Sequence, residues 1–188
     1  LAKDIGFAAG RKTVFSKGIA MKHVVVIGAG QAGSSCVAKL RNTGFDGEVT
    51  LIGAETVPPY QRPPLSKAYL LGEMALERLF LRPESFYAEH GINLMLDTTV
   101  EAIDTSAQTI HVDGTGIAYD ELVLTTGSVP RRLPARIGGA LDGVHVVRNL
   151  ADVDAMSPRF TKGARVLIVG GGYIGLEAAS VAAKLGLE

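Results

Sequence analysis

The chain has 188 residues, 47% hydrophobic and 20% charged, a balance that supports a packed core and excludes disordered or collagen-like architectures. Lys and Arg number 19 against 19 Asp and Glu, for a formal net charge of zero, so no field gathers nucleic acid or another polyanion. The single cysteine, Cys36, excludes an internal disulfide framework and a Cys-x-x-Cys metal or redox pair, and it suits a reducing compartment such as the cytoplasm.

Residues 1–20 carry Lys3, Arg11, Lys12 and Lys17 without a continuous apolar stretch or a small-residue cleavage site, so they do not read as a secretory signal. Met21 looks like a natural start, and residues 1–20 are set aside as a leader or non-native extension. His23 to Ile27 (HVVVI) is a β-branched run of the kind that forms a strand covered on both faces. Ala32 to Arg41 has helical spacing, ended by Asn42-Thr43-Gly44, and Glu48 to Ile52 (EVTLI) completes a β-α-β unit.

Val57 to Pro64 holds four of the eight prolines, a density that forbids helix and sheet pairing alike and predicts an ordered loop leading into a helix-compatible LSKAYLL. From Thr98 to Tyr119 the segments VEAI, TIHV and GIAY read as a three-stranded antiparallel meander, followed by a buried strand at Glu121 to Thr125. The run Val129 to Gly143 is a connection and a domain boundary, and Asn149 to Phe160 is a helix. Arg165 to Val169 (RVLIV) restarts the strand, Gly turn and helix pattern. The window Val166 to Ala183 is apolar, but its run of Gly and its Glu177 favour a buried strand-turn-helix over a membrane span. The predicted architecture is α/β: a Rossmann-like unit with a parallel sheet and an antiparallel meander over 21–143, then the beginning of a second Rossmann-like unit over 144–188.

Two glycine fingerprints carry the chemistry. In Gly28-Ala29-Gly30-Gln31-Ala32-Gly33, the first Gly allows a sharp turn, the second lets backbone approach a pyrophosphate, and the third lets helix pack close on strand. An acid about twenty residues on is expected at the ribose, and Glu55 stands 22 beyond Gly33. Gly170, Gly172 and Gly175 repeat the pattern in GGGYIG, 142 residues after Gly28. Two such sites on one chain imply a bound redox cofactor and a diffusible nucleotide exchanging a hydride. Glu177 lies in an otherwise apolar or small helix and needs water or a cation, for which Lys67 is a candidate.

Taken together, Pro59-Tyr60-Gln61-Arg62-Pro63-Pro64-Leu65-Ser66-Lys67, Thr125-Thr126-Gly127-Ser128-Val129-Pro130-Arg131 and Val169 to Glu177 (VGGGYIGLE) resemble the FAD-dependent ferredoxin reductases of the putidaredoxin-reductase and biphenyl-dioxygenase-reductase type, within the glutathione-reductase-like superfamily. The likeness runs from about Lys22 to Glu188. It implies that Gly28, Gly30, Ala32 and Gly33 hold the FAD pyrophosphate, with Arg62, Lys67, Val100, Thr126, Gly127 and Arg131 lining the rest of the flavin site. Lys67 and Glu177 would be the catalytic pair, ion-paired beside the isoalloxazine ring, with Tyr173, Ile174 and Glu177 where nicotinamide docks. Family members often carry an acid where this chain has Ala54, which leaves the ribose role to Glu55.

Superfamily members that reduce disulfides place a Cys pair in the segment occupied here by Tyr60 to Lys67, where no cysteine occurs. The resemblance therefore implies hydride transfer from NAD(P)H, with NADH favoured, to FAD and single electrons onward to a small iron-sulfur ferredoxin. Arg131, Arg132 and Arg136 are a candidate docking edge. A homodimer is compatible with these features. A rubredoxin reductase, a monodehydroascorbate reductase, an NADH oxidase and a signalling flavoprotein like apoptosis-inducing factor stay open as alternatives. Because family members complete the flavin site with later segments, residues 1–188 alone are expected to hold FAD weakly and not to turn over.

Overall fold

The computed structural model describes residues 23–188; the expected leader and the start at Met21 lie outside the described residues. Strand β1 (His23–Ile27), helix α1 (Gln31–Asn42) and strand β2 (Glu48–Ile52) form the anticipated β-α-β unit, with β1 and β2 parallel and in register from His23 against Glu48 to Ile27 against Ile52. Helix α2 (Glu84–Glu89) leads into strand β3 (Ile92–Met95), which pairs with the outer side of β2. Neither is among the predicted elements: the helix has six residues and the strand four, too short for periodicity to register.

Strands β4 (Ala102–Asp104), β5 (Thr109–Val112) and β6 (Thr115–Ala118) form a separate antiparallel sheet, and strand β7 (Glu121–Leu124) returns to the other side of β1. The parallel sheet therefore runs β3-β2-β1-β7. The β5-β6 hairpin closes on Asp113 (φ 47) and Gly114 (φ 71). Two successive left-handed residues match the twist of the flanking strands, which is why Asp-Gly suits this position.

Alternation along β1 sorts its residues between two cores. Val24 and Val26 join Val37 of α1, Val49, Leu51 and Tyr87 on the helix side. Val25 and Ile27 join Ile52, Ile110 and Val112 on the meander side. A strand covered on both faces has to be apolar throughout, as HVVVI is. Arg41 pins the end of α1 by donating to the carbonyls of Phe45, Gly47, His90 and Gly91 at 2.7 to 2.9 Å. A third core gathers Tyr60, Leu65, Leu70 and Leu79 with Leu150, Val153 and Met156 of helix α3 (Leu150–Met156) and Val181 of helix α4 (Tyr173–Leu185).

The strand expected to be buried at Glu121 to Thr125 forms as β7 but has no buried residue, with Leu124 59% exposed at the sheet edge. Three further segments differ from expectation. LSKAYLL makes no α-helix; Pro63–Ser66 form a 3-10 turn and further turns continue it. The predicted helix from Asn149 to Phe160 stops being α at Met156 and ends in a 3-10 turn, Ser157–Arg159, where Pro158 lacks the donor for the next bond. Arg165–Val169 joins no sheet among the described residues. Backbone bonds reach its start, Val166 N to Glu188 O at 2.8 Å and Glu188 N to Ala164 O at 2.9 Å. Without a lateral partner beyond that point, Leu167 is 88% and Val169 70% exposed.

Candidate functional site: two glycine cradles and an ion pair between them

Gly28 has φ +114, and a Cβ there would meet Thr125 O at 2.2 Å. Thr125 Oγ1 donates to Gly28 O at 2.8 Å, locking the turn to the end of β7. A Cβ on Gly33 would fall 2.0 Å from Gly28 O, so helix and strand can approach this closely only over glycine. A Cβ on Gly30 would meet nothing within 4 Å. The bare backbone there opens onto a cleft of about 580 Å³. Helix α1 has no acid in its first turn and no side-chain cap, leaving its positive end for an anion.

Gly170 has φ +118, and the helix caps match as well: Gly30 at φ −92, ψ −164 and Gly172 at φ −77, ψ 172. A Cβ on Gly175 would lie 2.5 Å from Gly170 O, and one on Gly172 would be in open space. This turn faces a second cleft of about 610 Å³, lined by Gly170, Gly172, Tyr173, Ile174 and Gly175. The ring Nε2 of His145, which also lines that cleft, is buried without a hydrogen-bond partner.

The first cleft is lined by Gly28, Gly30, Ala32, Val100, Thr126 and Gly127, and also by Glu55 and Arg62. On that wall each oxygen of Glu55 already accepts one bond. Its Oε1 takes Arg62 Nη2 and its Oε2 takes the Tyr60 hydroxyl, each at 2.5 Å. The Tyr60 oxygen accepts in turn from Leu150 N at 2.8 Å, and Arg62 Nη1 donates to Arg148 O at 2.8 Å. Burial, then the bond to Glu55, pushes the Tyr60 hydroxyl above its ordinary value, so it stays a donor. Spacing from Gly33 could not reveal these partners.

Arg131, expected at the flavin site, is exposed and outside the cleft wall, although Val129 and Pro130 line it. Arg148 joins Arg62 on that wall, reached from the other side through the start of α3. Sequence reasoning passed over Arg148; its signal was its place just before Asn149, which caps α3 in a reciprocal box with Asp152. Of the candidate docking arginines, Arg132 lies 3.9 Å from Asp152 Oδ1.

Lys67 Nζ lies 2.8 Å from Glu177 Oε1. The pairing considered from sequence therefore forms, across 110 positions. Ser66 adds what sequence did not suggest: its hydroxyl donates to Glu177 Oε2 at 2.5 Å. The Lys67 bond first, and the Ser66 bond second, hold the Glu177 carboxyl below its ordinary range. Neither Lys67 nor Glu177 lines either cleft; their turn begins at Pro63, which lines the first, and their helix at Tyr173, which lines the second.

Two glycine cradles of one geometry on one chain are the signature of a two-nucleotide oxidoreductase, and the family described as pyridine nucleotide-disulphide oxidoreductase matches residues 22–188. The chain belongs to that family. It is 44% identical over 164 residues to a ferredoxin–NAD(P)(+) reductase of a Sphingomonas species, covering 87% of this chain and 39% of the relative. It is 41% identical to a rubredoxin–NAD(+) reductase of Pseudomonas putida, covering 87% and 42%. The crystal structure of a covalent putidaredoxin reductase–putidaredoxin complex superposes with a TM-score of 0.82 at 39% identity, over 88% of this chain and 40% of that one. The chain thus spans about two fifths of the length of these relatives.

Within the pyridine nucleotide-disulphide oxidoreductase family, these 188 residues contain no thiol pair. Cys36, on α1, is the only cysteine, and burial pushes its thiol up, away from the reactive thiolate. No group of metal-ligating side chains occurs among the described residues. No helix among them is long and apolar enough to cross a membrane.

Proposed function

We propose that this chain is the nucleotide-binding portion of a cytoplasmic FAD-dependent NAD(P)H:ferredoxin oxidoreductase, with NADH the favoured donor and a small iron-sulfur ferredoxin the acceptor. The observation that carries the reading is the pair of matched glycine cradles, with the Lys67–Glu177 ion pair joining the Pro63 turn to the helix of the second cradle. The first cradle fits FAD, since a Cβ at Gly30 would occupy space a pyrophosphate needs and helix α1 presents an unneutralised positive end. When bound, FAD supplies the chemistry of accepting a hydride and giving up electrons one at a time.

The protein's part is binding, orientation and charge. Backbone at Gly28 to Ala32 receives the phosphates, Thr126, Gly127 and Arg148 line the wall of the cleft, and Val100 closes it with an apolar surface. Gly170 to Gly175 would seat the second nucleotide's phosphates, leaving Tyr173 and Ile174 near its nicotinamide. Lys67 and Glu177 would act as an ion pair from just outside the two clefts, on the turn and the helix that border them. The division into two units falls at about residues 143 and 144.

The likeness to a ferredoxin–NAD(P)(+) reductase and to putidaredoxin reductase supports a ferredoxin as acceptor. Nearly equal identity to a rubredoxin–NAD(+) reductase supports a second reading, in which rubredoxin takes that place. The test is reduction of cytochrome c by the full-length flavoprotein with NADH, with and without each acceptor protein. Strong stimulation by a ferredoxin is expected. Turnover that no iron-sulfur or rubredoxin acceptor accelerates would sink both readings.

A further inference from the structure

We propose that Ser66 is a positioning residue that holds the Glu177 carboxylate in one orientation, so that Lys67 and Glu177 meet the nucleotide as a fixed pair. This rests on the function proposed above, but its central observation does not. Ser66 and Lys67 are consecutive, and between them they grip both oxygens of one carboxylate, Oε2 by the hydroxyl at 2.5 Å and Oε1 by the ammonium at 2.8 Å.

The two grips are unequal in what they can fix. Lys67 is half exposed, at 50%, on a flexible stem, and an ion pair with one partner in solvent holds geometry poorly. Ser66 is 4% exposed, has a single rotor, and sits in a turn whose first two residues are prolines with fixed φ. Its side chain does not serve the turn, which is closed by Lys67 N donating to Pro64 O. The rigid donor therefore sets where the carboxylate stands and the mobile one follows it.

Other charges do not compete for Glu177. Lys67 is the charged partner of its carboxyl. Lys184, on the same helix, is about two turns further on. On α3, which shares a core with α4, Asp152 receives the Arg148 and Asn149 amides and Asp154 receives the Tyr69 hydroxyl. Removing the Ser66 donor should leave Glu177 easier to protonate and freer to turn, with no other group to replace it.

The test uses the full-length flavoprotein, its Ser66→Ala and Ser66→Thr variants, and Glu177→Gln to assign signals. In Ser66→Ala, FAD stoichiometry and melting temperature should hold. Its rate of flavin reduction by NADH should fall about tenfold, and the acid limb of that rate should move up by about one pH unit. Ser66→Thr should restore both. Independently of turnover, the carbon-13 carboxyl titration of Glu177 should move up in Ser66→Ala and return in Ser66→Thr. An unmoved titration in Ser66→Ala would overturn the positioning role whatever the rates. A moved titration in a protein that NADH cannot reduce would keep that role and sink the hydride-transfer reading.

Discussion

Gly33 sits against Gly28 so closely that a Cβ on the first would come within 2.0 Å of the carbonyl oxygen of the second. Gly30, between them in sequence, faces open space. One residue therefore serves the fold and the other the ligand, which separates their mutants. Gly33→Ala should lower stability by about 2 to 4 kcal/mol, since helix and strand must part. Gly30→Ala should change it by about 0.5 kcal/mol or less, while purifying with much less FAD. Urea unfolding and the flavin-to-protein absorbance ratio check the pair.

Tyr60→Phe removes the acceptor for Leu150 N and the donor to Glu55 at once. The buried amide at the start of α3 is left unpaired, at a cost of about 1 to 3 kcal/mol. The expected outcome is a lower urea midpoint with the slope unchanged. A neutral Tyr60→Phe would show that the network is decorative.

Ala54→Asp adds a second acid just past the end of β2, next to Glu55, whose oxygens already accept from Arg62 and Tyr60. A charge-assisted bond to a ribose hydroxyl should tighten FAD retention by about tenfold. Flavin release on dilution, followed by fluorescence, measures it. Unchanged or weaker retention would mean that the ribose lies elsewhere.

Glu177→Ala should slow flavin reduction by about tenfold or more while leaving most FAD bound, because Glu177 stands outside the wall of the first cleft. Stopped-flow reduction beside flavin content separates the two effects. Lost FAD with unchanged reduction of the remaining flavin would contradict the assignment.

Lowering the folded-state pKa of Glu177 makes its ion pair a source of stability at neutral pH. That contribution is complete above the ordinary glutamate range and disappears as pH falls through the depressed folded value. Wild type should therefore exceed Lys67→Met in stability at pH 7, with the gap closing under acid. A gap that persists at pH 3 in parallel unfolding curves would point to packing of the lysine stem instead.

What could be read in advance was local. Both glycine turns, the β1-α1-β2 unit and the Asp113-Gly114 hairpin are written in short spacings, because a left-handed φ or a two-faced strand restricts the residue at that very position. RVLIV shows the limit of such reading, since its composition is that of a strand but pairing depends on what lies alongside. The four-residue β3 left no periodic trace for the same reason.

The amino-acid sequence by itself determined that two glycine turns of one design occur on this chain, since glycine favours the positive φ at Gly28 and Gly170. Which side chains complete the site was decided by tertiary structure alone. Glu55 meets Arg62 and Tyr60, Arg148 lines the first cleft beside Arg62, and Ser66 meets Glu177 across 111 positions. Such contacts join residues far apart in the chain, and a carboxylate's partner is whichever donor the packed elements bring to it first.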